Sequence, residues 1–130
     1  MIQDTSFVID ILGGDETALD LLADIESDRK PEKVSSVTVL ELYEGVERAD
    51  RPDDEVTAVL DVLDSKTVVP ADHDVMRRAG RLSGSLYADG RPIDREDCIV
   101  AATALQEDEP VVTRNVDHFE RVDGLDVRGY

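Results

Sequence analysis

The chain has 130 residues, the size of one domain, and its 31 acidic residues against 14 basic ones give a formal net charge of −17. This charge excludes a protein that holds nucleic acid by bulk basic charge, since such domains have isoelectric points above about 9. The single cysteine, Cys98, excludes an intramolecular disulfide and a cysteine zinc cluster. No apolar run approaches the roughly 18 residues of a membrane span, and no signal peptide is recognisable. We therefore expect a cytoplasmic protein with a single domain over residues 1–130.

The acidity has the pattern of a folded protein rather than of a disordered one. Hydrophobic residues make up 41% of the chain and recur in periodic clusters, so a core can form. The acids are spread through every segment, with no acidic tail. Molar salt would screen the resulting self-repulsion, because the Debye length falls to about 3 Å at 1 M. The composition therefore indicates a halophile, and it predicts that most acids are solvated while only a few take part in chemistry.

Short apolar strands alternate with helices along the chain. The first strand is predicted over 1–4, and a helix over 6–12 ends at Gly13-Gly14. The further strands are predicted over 34–36, 66–70, 110–113 and 125–127, and the further helices over 16–26, 38–49, 54–63, 73–88 and 95–106. This alternation predicts an α/β fold with a parallel sheet covered on both faces. Ligands of such sheets bind at the carboxyl ends of the strands, and this rule selects among the acids.

Two acids that follow predicted strands have competing interpretations as helix caps. Asp4 ends the first strand and is either an N-cap or part of a site at the carboxyl edge. Glu41 lies one turn into the helix predicted from Thr38, and Thr38-x-x-Glu41 matches a capping box. Glu41 also lies off the apolar stripe, one turn before Gly45, a mid-helix glycine that predicts a close approach at that point. Capping and ligand binding are equally supported here.

Asp97 is the most informative acid. The helical segment 97–105 is apolar nearly all round and should be buried, so a carboxylate on it must be paired, protonated or bound to a cation. The alternative is a carboxylate in the first helical turn that the helix dipole favours. Asp94, one turn earlier, is interpreted first as the N-cap of this helix and second as an auxiliary site residue.

The convergence of Asp4, Glu41 and Asp97 without a neighbouring lysine or arginine predicts a negative pocket. Hard cations with oxygen ligands, such as Mg²⁺ or Mn²⁺, relieve such a pocket. A bound ion lowers the pKa of a water molecule and stabilises charge on phosphate. The chemistry indicated is hydrolysis of a phosphodiester or a related phosphate ester.

Four segments resemble, in order, the motifs of PIN-domain nucleases, and most closely those of VapC-type toxins from toxin–antitoxin modules. They are MIQDTSFVID, SSVTVLELYEG, GRPIDREDCIVAATAL and VVTRNVDHFERVDGL. The resemblance implies a three-layer α/β/α sandwich with a mostly parallel central sheet, an acidic cluster that binds Mg²⁺ or Mn²⁺, and endoribonuclease activity on RNA. It also implies a homodimer and an antitoxin whose segment covers the active site. Helices 16–26 and 54–63 offer apolar residues for these surfaces, with ordinary core packing as the alternative.

The resemblance also implies roles for individual residues. Asp4 and Asp97 would hold the metal directly, and Glu41 would bind it through water or help to deprotonate the attacking water. The auxiliary positions are Thr5, Ser6, Asp94, Thr113, Asn115 and Asp117, and Arg114 is a candidate phosphate contact with a salt-bridged surface arginine as the alternative. The fourth acidic position of many PIN domains falls at Asn115 here, so we expect one metal ion, with a second dependent on a substitute such as Asp117.

Other functions stay open at this point. A PIN nuclease can act in RNA processing outside a toxin pair, and a non-catalytic binding module can keep the same fold without binding metal. A haloacid-dehalogenase-like phosphatase is a weaker alternative, because Asp4-Thr5-Ser6 lacks a second aspartate two residues on.

Two further groups of residues have unremarkable interpretations. Arg77, Arg78 and Arg81 form either a local basic patch or, the favoured interpretation, a set of solvated helix residues. His73 and His118 are interpreted as surface or packing residues rather than as a catalytic pair.

Overall fold

In the computed structural model, which describes residues 1–130, five short parallel strands form one sheet in the order β3-β2-β1-β4-β5. The strands are β1 (Ile2–Gln3), β2 (Lys33–Ser35), β3 (Thr67–Val69), β4 (Val111–Val112) and β5 (Val127–Arg128). The helices are α1 (Thr5–Leu12), α2 (Glu16–Ser27), α3 (Ser36–Glu47), α4 (Pro52–Asp64), α5 (His73–Ala88), α6 (Arg95–Glu107) and α7 (Val116–Phe119). The predicted α/β class and parallel sheet are confirmed. None of the helices has both the length and the apolar composition needed to cross a membrane.

The helix boundaries follow local capping chemistry. The predicted caps Asp15 and Asp72 are confirmed, because each side chain accepts a backbone N–H of its helix, at 2.9 and 3.0 Å. The predicted start of α3 at Thr38 is wrong. Ser35 occupies the N-cap position and its hydroxyl accepts the N–H of Val37 at 3.3 Å, so the helix begins two residues earlier.

Two elements near the C-terminus differ from the sequence-based expectation. β5 is shifted along the chain relative to the predicted strand over 125–127, and the short helix α7 was not predicted. α7 has four residues, which is too short to display a helical period in the sequence.

β1 is the central strand, and its register fixes which chain segments meet. Ile2 pairs with Lys33 of β2 and Val111 of β4, and Gln3 pairs with Val112. Because all strands run in the same direction, the residues that follow β1, β2 and β4 meet at one edge of the sheet. The expected location of a ligand site is that carboxyl edge.

Helices cover both faces of the sheet. Ile2 and Val111 belong to the core cluster that includes residues of α5, α6 and α7. Val112 belongs to the cluster on α1 and α2, where Phe7 and Ile25 are also fully buried. Burial of each such side chain contributes roughly 1.5–3 kcal/mol. As predicted, α6 is largely buried, and with it the thiol of Cys98.

Partly buried ion pairs hold the opposite edge of the sheet, where the strands begin. The Lys66 ammonium, whose side chain is 1% exposed, lies 3.0 Å from the carboxylate of Glu32. Gln3 donates a hydrogen bond of 2.9 Å to the same carboxylate oxygen. Lys33 and Glu109 form a second pair at 2.6 Å. The two lysines that form these ion pairs thus lie at the edge of the sheet opposite the carboxyl ends of the strands.

We predict that Glu32→Ala lowers the free energy of unfolding by about 3 kcal/mol, because it leaves the Lys66 ammonium buried and unpaired. Urea unfolding measures the change. The matched control is Glu44→Ala, which removes an exposed pair with Arg48 and should cost less than about 0.5 kcal/mol. Equal costs for the two variants would contradict a structural role for the buried pair.

Candidate active site

Asp4 is the only one of the 31 acidic residues that is buried, with 3% of its surface exposed. Its Oδ2 accepts hydrogen bonds from the hydroxyls of Ser6 and Thr113, each at 2.8 Å. Asp4 takes part in none of the ion pairs. It occupies the N-cap position of α1, but its side chain makes no capping hydrogen bond. Of the two interpretations of Asp4, the structure therefore favours the site over the cap.

Backbone groups orient the two hydroxyls that hold Asp4. The N–H of Arg114 donates to Ser6 Oγ at 3.2 Å, and the N–H of Asn115 donates to Thr113 Oγ1 at 2.9 Å. Each hydroxyl oxygen thus accepts from the backbone and directs its own proton to the carboxylate. Oδ1 of Asp4 accepts no hydrogen bond from the protein and stays available to a ligand.

The capping-box interpretation of Glu41 is wrong. α3 starts before Thr38, so Thr38 lies inside the helix and is buried. The Glu41 carboxylate instead accepts a hydrogen bond of 2.8 Å from the hydroxyl of Thr5, which also lies 3.0 Å from the Thr38 hydroxyl. Burial raises the pKa of Glu41, the Thr5 hydrogen bond opposes this, and the charges of Asp4 and Asp97 add to the rise.

The close approach predicted at Gly45 is also wrong. A Cβ at this position would meet no atom within 4 Å. Gly45 instead lines an open groove of about 320 Å³ between α1, α3 and α4, whose wall includes Glu41. The groove is bordered by the apolar residues Ile9, Leu12, Leu42, Val46 and Val59.

Asp97 is the third residue of α6, and its side chain is 16% exposed. Burial and the charges of Asp4 and Asp94 together raise its pKa to about 6, against an opposing contribution from His118. Both interpretations of Asp97 therefore apply. It lies in the first turn of α6, and no nearby positive charge fully balances its negative charge. Asp94 occupies the predicted N-cap position, although its exposed side chain makes no capping hydrogen bond.

His118, interpreted above as a surface or packing residue, is partly exposed but also contacts a candidate site residue. Its Nδ1 lies 3.4 Å from Oδ2 of Asp97. α7, which begins four residues after the last residue of β4, brings the imidazole to this position. In the sequence, only the position of His118 shortly after a predicted strand pointed to the site. A helix of four residues shows no helical period from which it could be predicted. His73, at the start of α5, is exposed as expected.

The remaining predicted positions lie around this centre without touching the carboxylates. Asn115 is the N-cap of α7, with no side-chain capping bond, and contributes its backbone N–H to Thr113. Arg114 forms an ion pair of 2.6 Å with Asp10, which is the alternative interpretation of that residue. Asp117 is exposed on α7.

Carboxylate oxygens that accept no hydrogen bond are available to a cation at this site, but they do not surround it completely. Asp4 and Glu41 each have one carboxylate oxygen fixed by a hydroxyl and the other without a hydrogen bond from the protein. No three His, Cys, Asp or Glu side chains are grouped closely enough to hold a metal ion together. The donors therefore fit Mg²⁺ or Mn²⁺ with one or two protein ligands and several waters.

We predict that Asp97→Asn stabilises the metal-free protein by roughly 1–3 kcal/mol at pH 7, because it removes a repelled and partly desolvated charge. The raised pKa means that ionised Asp97 disfavours the folded state fully above pH 6, and that the penalty disappears as the pH falls towards 3.8. Urea unfolding in EDTA, at pH 7 and pH 4, measures both effects. Destabilisation at pH 7, or a gain that persists at pH 4, would contradict this electrostatic description.

Comparisons with known proteins agree with the fold. The PIN domain family model matches residues 1–125. Ribonuclease VapC2 of Haemophilus influenzae is 30% identical over 122 residues, which cover 94% of this chain and 91% of that protein. The tRNA(fMet)-specific endonuclease VapC of Shigella flexneri is 30% identical over 92 residues, 71% of this chain and 70% of that protein.

The fold has a close counterpart among solved structures. VapBC2 from Rickettsia felis, bound to a DNA fragment from its promoter, matches with a TM-score of 0.89 at 19% identity. The match covers 98% of this chain and 96% of that one, which confirms the expected PIN-like sandwich. From the family model and the extent of the sequence identity, this chain belongs to the PIN-domain family, in its VapC group.

Proposed function

We propose that the chain is a metal-dependent endoribonuclease and the toxin of a VapBC-type toxin–antitoxin pair. The observation that carries this proposal is the buried Asp4 carboxylate, held by hydroxyls and without a cationic partner, beside two acids whose pKa values are raised. A site with this excess of negative charge is stabilised by a cation. The relatives named as ribonucleases supply the reaction class.

Asp4 and Asp97 are the residues that would hold Mg²⁺ or Mn²⁺ directly. When bound, such an ion supplies positive charge to the scissile phosphate and lowers the pKa of a water molecule. We propose one ion, because the chain carries the amide Asn115 where many PIN domains have a fourth acid, and because Asp117 is exposed on α7.

The other side chains would position these groups and accept a proton. Ser6 and Thr113 fix the rotamer of Asp4, so that Oδ1 presents to the ligand. Glu41 has a raised pKa and one free oxygen, which suits it to receive a proton from the attacking water. Thr5 holds the other oxygen of Glu41 in place.

The apolar groove between α1, α3 and α4 is the surface we assign to the antitoxin. Ile9 lies in the groove and Leu60 lies on α4, and about half of the surface of each residue is exposed. Because Glu41 lies in the groove wall, an apolar partner segment bound in it would extend to the catalytic carboxylates. We also propose a homodimer, for which α5 offers the exposed apolar residues Met76 and Tyr87.

The direct test is incubation of labelled tRNA and mRNA with the purified protein in high KCl, with Mn²⁺, with Mg²⁺ or with EDTA. We predict cleavage that needs the metal and that falls by about 10²-fold or more in Asp97→Asn. The matched control, Asp61→Asn, removes an exposed acid of α4 and should cleave like the parent. Cleavage in EDTA, or by Asp97→Asn at the parent rate, would reject the proposed site.

We predict that Thr113→Val weakens Mn²⁺ binding by roughly 10- to 100-fold, because it removes one of the two hydroxyls that orient Asp4. Isothermal titration calorimetry measures the affinity. Thr103→Val is the matched control, since this buried hydroxyl donates to the carbonyl of Ile99 and not to a site residue. An equal change in both variants would show that the Asp4 hydrogen bond has no specific role.

A further inference from the structure

Five of the eleven arginines of this strongly acidic chain line one cavity. The cavity, of about 530 Å³, lies between α5, the C-terminal part of α6 and the segment after α7. The arginines are Arg77, Arg78, Arg81, Arg91 and Arg121. Three of them are neighbours in sequence on α5. The fold brings Arg91, from the α5–α6 connection, and Arg121, which follows α7, to the same cavity. None of the catalytic carboxylates lines this cavity.

Three acids, Asp74, Asp89 and Asp123, also line the cavity, so its five arginines leave an excess of two positive charges. Asp74 pairs with Arg77 at 3.3 Å, in an exposed pair of little energetic weight. Arg78, Arg81 and Arg91 are exposed and take part in no ion pair. In a chain of charge −17, this cavity is therefore a local surface of positive charge.

We propose that this arginine cavity binds the phosphodiester backbone of the RNA substrate outside the active site. The inference rests on the proposed function, because it assumes that RNA is the substrate. The guanidinium group matches phosphate oxygens with two parallel hydrogen bonds. Even at about 0.15 M salt the Debye length is only about 8 Å, so acids farther away than this are largely screened from a phosphate in the cavity.

The lining of the cavity indicates backbone contact rather than base recognition. Its apolar members are Leu82, Leu86, Leu105 and Val122, and it includes no aromatic side chain on which a base could stack. Contacts of this kind place the strand but read no sequence. A protein interface also needs an exposed apolar core, whereas the apolar members Leu86 and Val122 are buried here.

The cavity is separate from the face of α5 that we assign to a second copy. Met76 lies in another groove of α5, lined by Ala79, Gly80 and Ser83, on the opposite side of the helix from the arginines. The RNA surface and the dimer surface can therefore be tested by separate substitutions.

The test measures RNA affinity by fluorescence anisotropy in an Asp97→Asn background, with an RNA that the parent cleaves and over a series of KCl concentrations. The double change Arg78→Gln and Arg81→Gln should weaken binding roughly tenfold at the lowest salt. It should also reduce the slope of log affinity against log salt by between about one and two. The control pair Arg48→Gln and Arg51→Gln removes the same charge on the α3–α4 side and should leave the slope unchanged.

In the active background, the same arginine changes should raise KM and leave kcat unchanged. An unaltered affinity and slope, in a protein that still cleaves RNA, would overturn this inference and leave the proposed function standing. A parent protein that neither binds nor cleaves RNA with Mn²⁺ present would overturn the proposed function itself. Loss of dimer mass in light scattering on changing Arg78 and Arg81, with RNA affinity kept, would assign the cavity to a second copy and reject RNA.

Discussion

Asp4 loses most of its contact with water at the end of the central strand and receives two hydroxyl hydrogen bonds in exchange. Burial of an ionised carboxylate without a countercharge costs several kcal/mol, and hydrogen bonds to a charged group contribute about 1.5–3 kcal/mol each. Two such hydrogen bonds, about 3–6 kcal/mol together, are of the same order as this cost. The charges of Glu41 and Asp97 increase it, and the charge of Asp4 in turn adds to the rise that burial causes in the pKa values of both acids. A divalent cation relieves all three carboxylates together.

The sheet separates two kinds of charge. Where the strands begin, Lys66 and Lys33 pair with Glu32 and Glu109, and these pairs stabilise the fold. Where the strands end, acids gather without such partners, and the chain keeps a destabilised site. Five arginines instead line the cavity beside α5, where none of these acids is found. This distribution fits the two proposals, a cation at one place and a polyanion at another.

The sequence predicted the parts of the site that depend on strand ends and helical periodicity. The alternation of elements placed Asp4 at the carboxyl edge, and the apolar character of α6 singled out Asp97. It did not predict how Asp4 is held, because Thr113 follows β4, 109 residues away along the chain. The contact of His118 with Asp97 depends on a helix of a single turn, which has no periodic pattern.

Two predictions from local sequence motifs in α3 were wrong. Thr38 and Glu41 match a capping box, but Ser35 caps the helix first, so Thr38 and Glu41 are free to contact Thr5. Gly45 suggested a close approach and instead lines an open groove.

The most direct measurement for this account is the number of protons released when Mn²⁺ binds, obtained by calorimetry in buffers of different ionisation enthalpy. Asp97 has a pKa of about 6 in the metal-free protein, so at pH 6 it is about half protonated and must release that fraction on binding. We predict release of at least about half a proton at pH 6 and little release at pH 8, with binding lost in Asp97→Asn. Absence of Mn²⁺ binding, or binding at pH 6 without proton release, would contradict it.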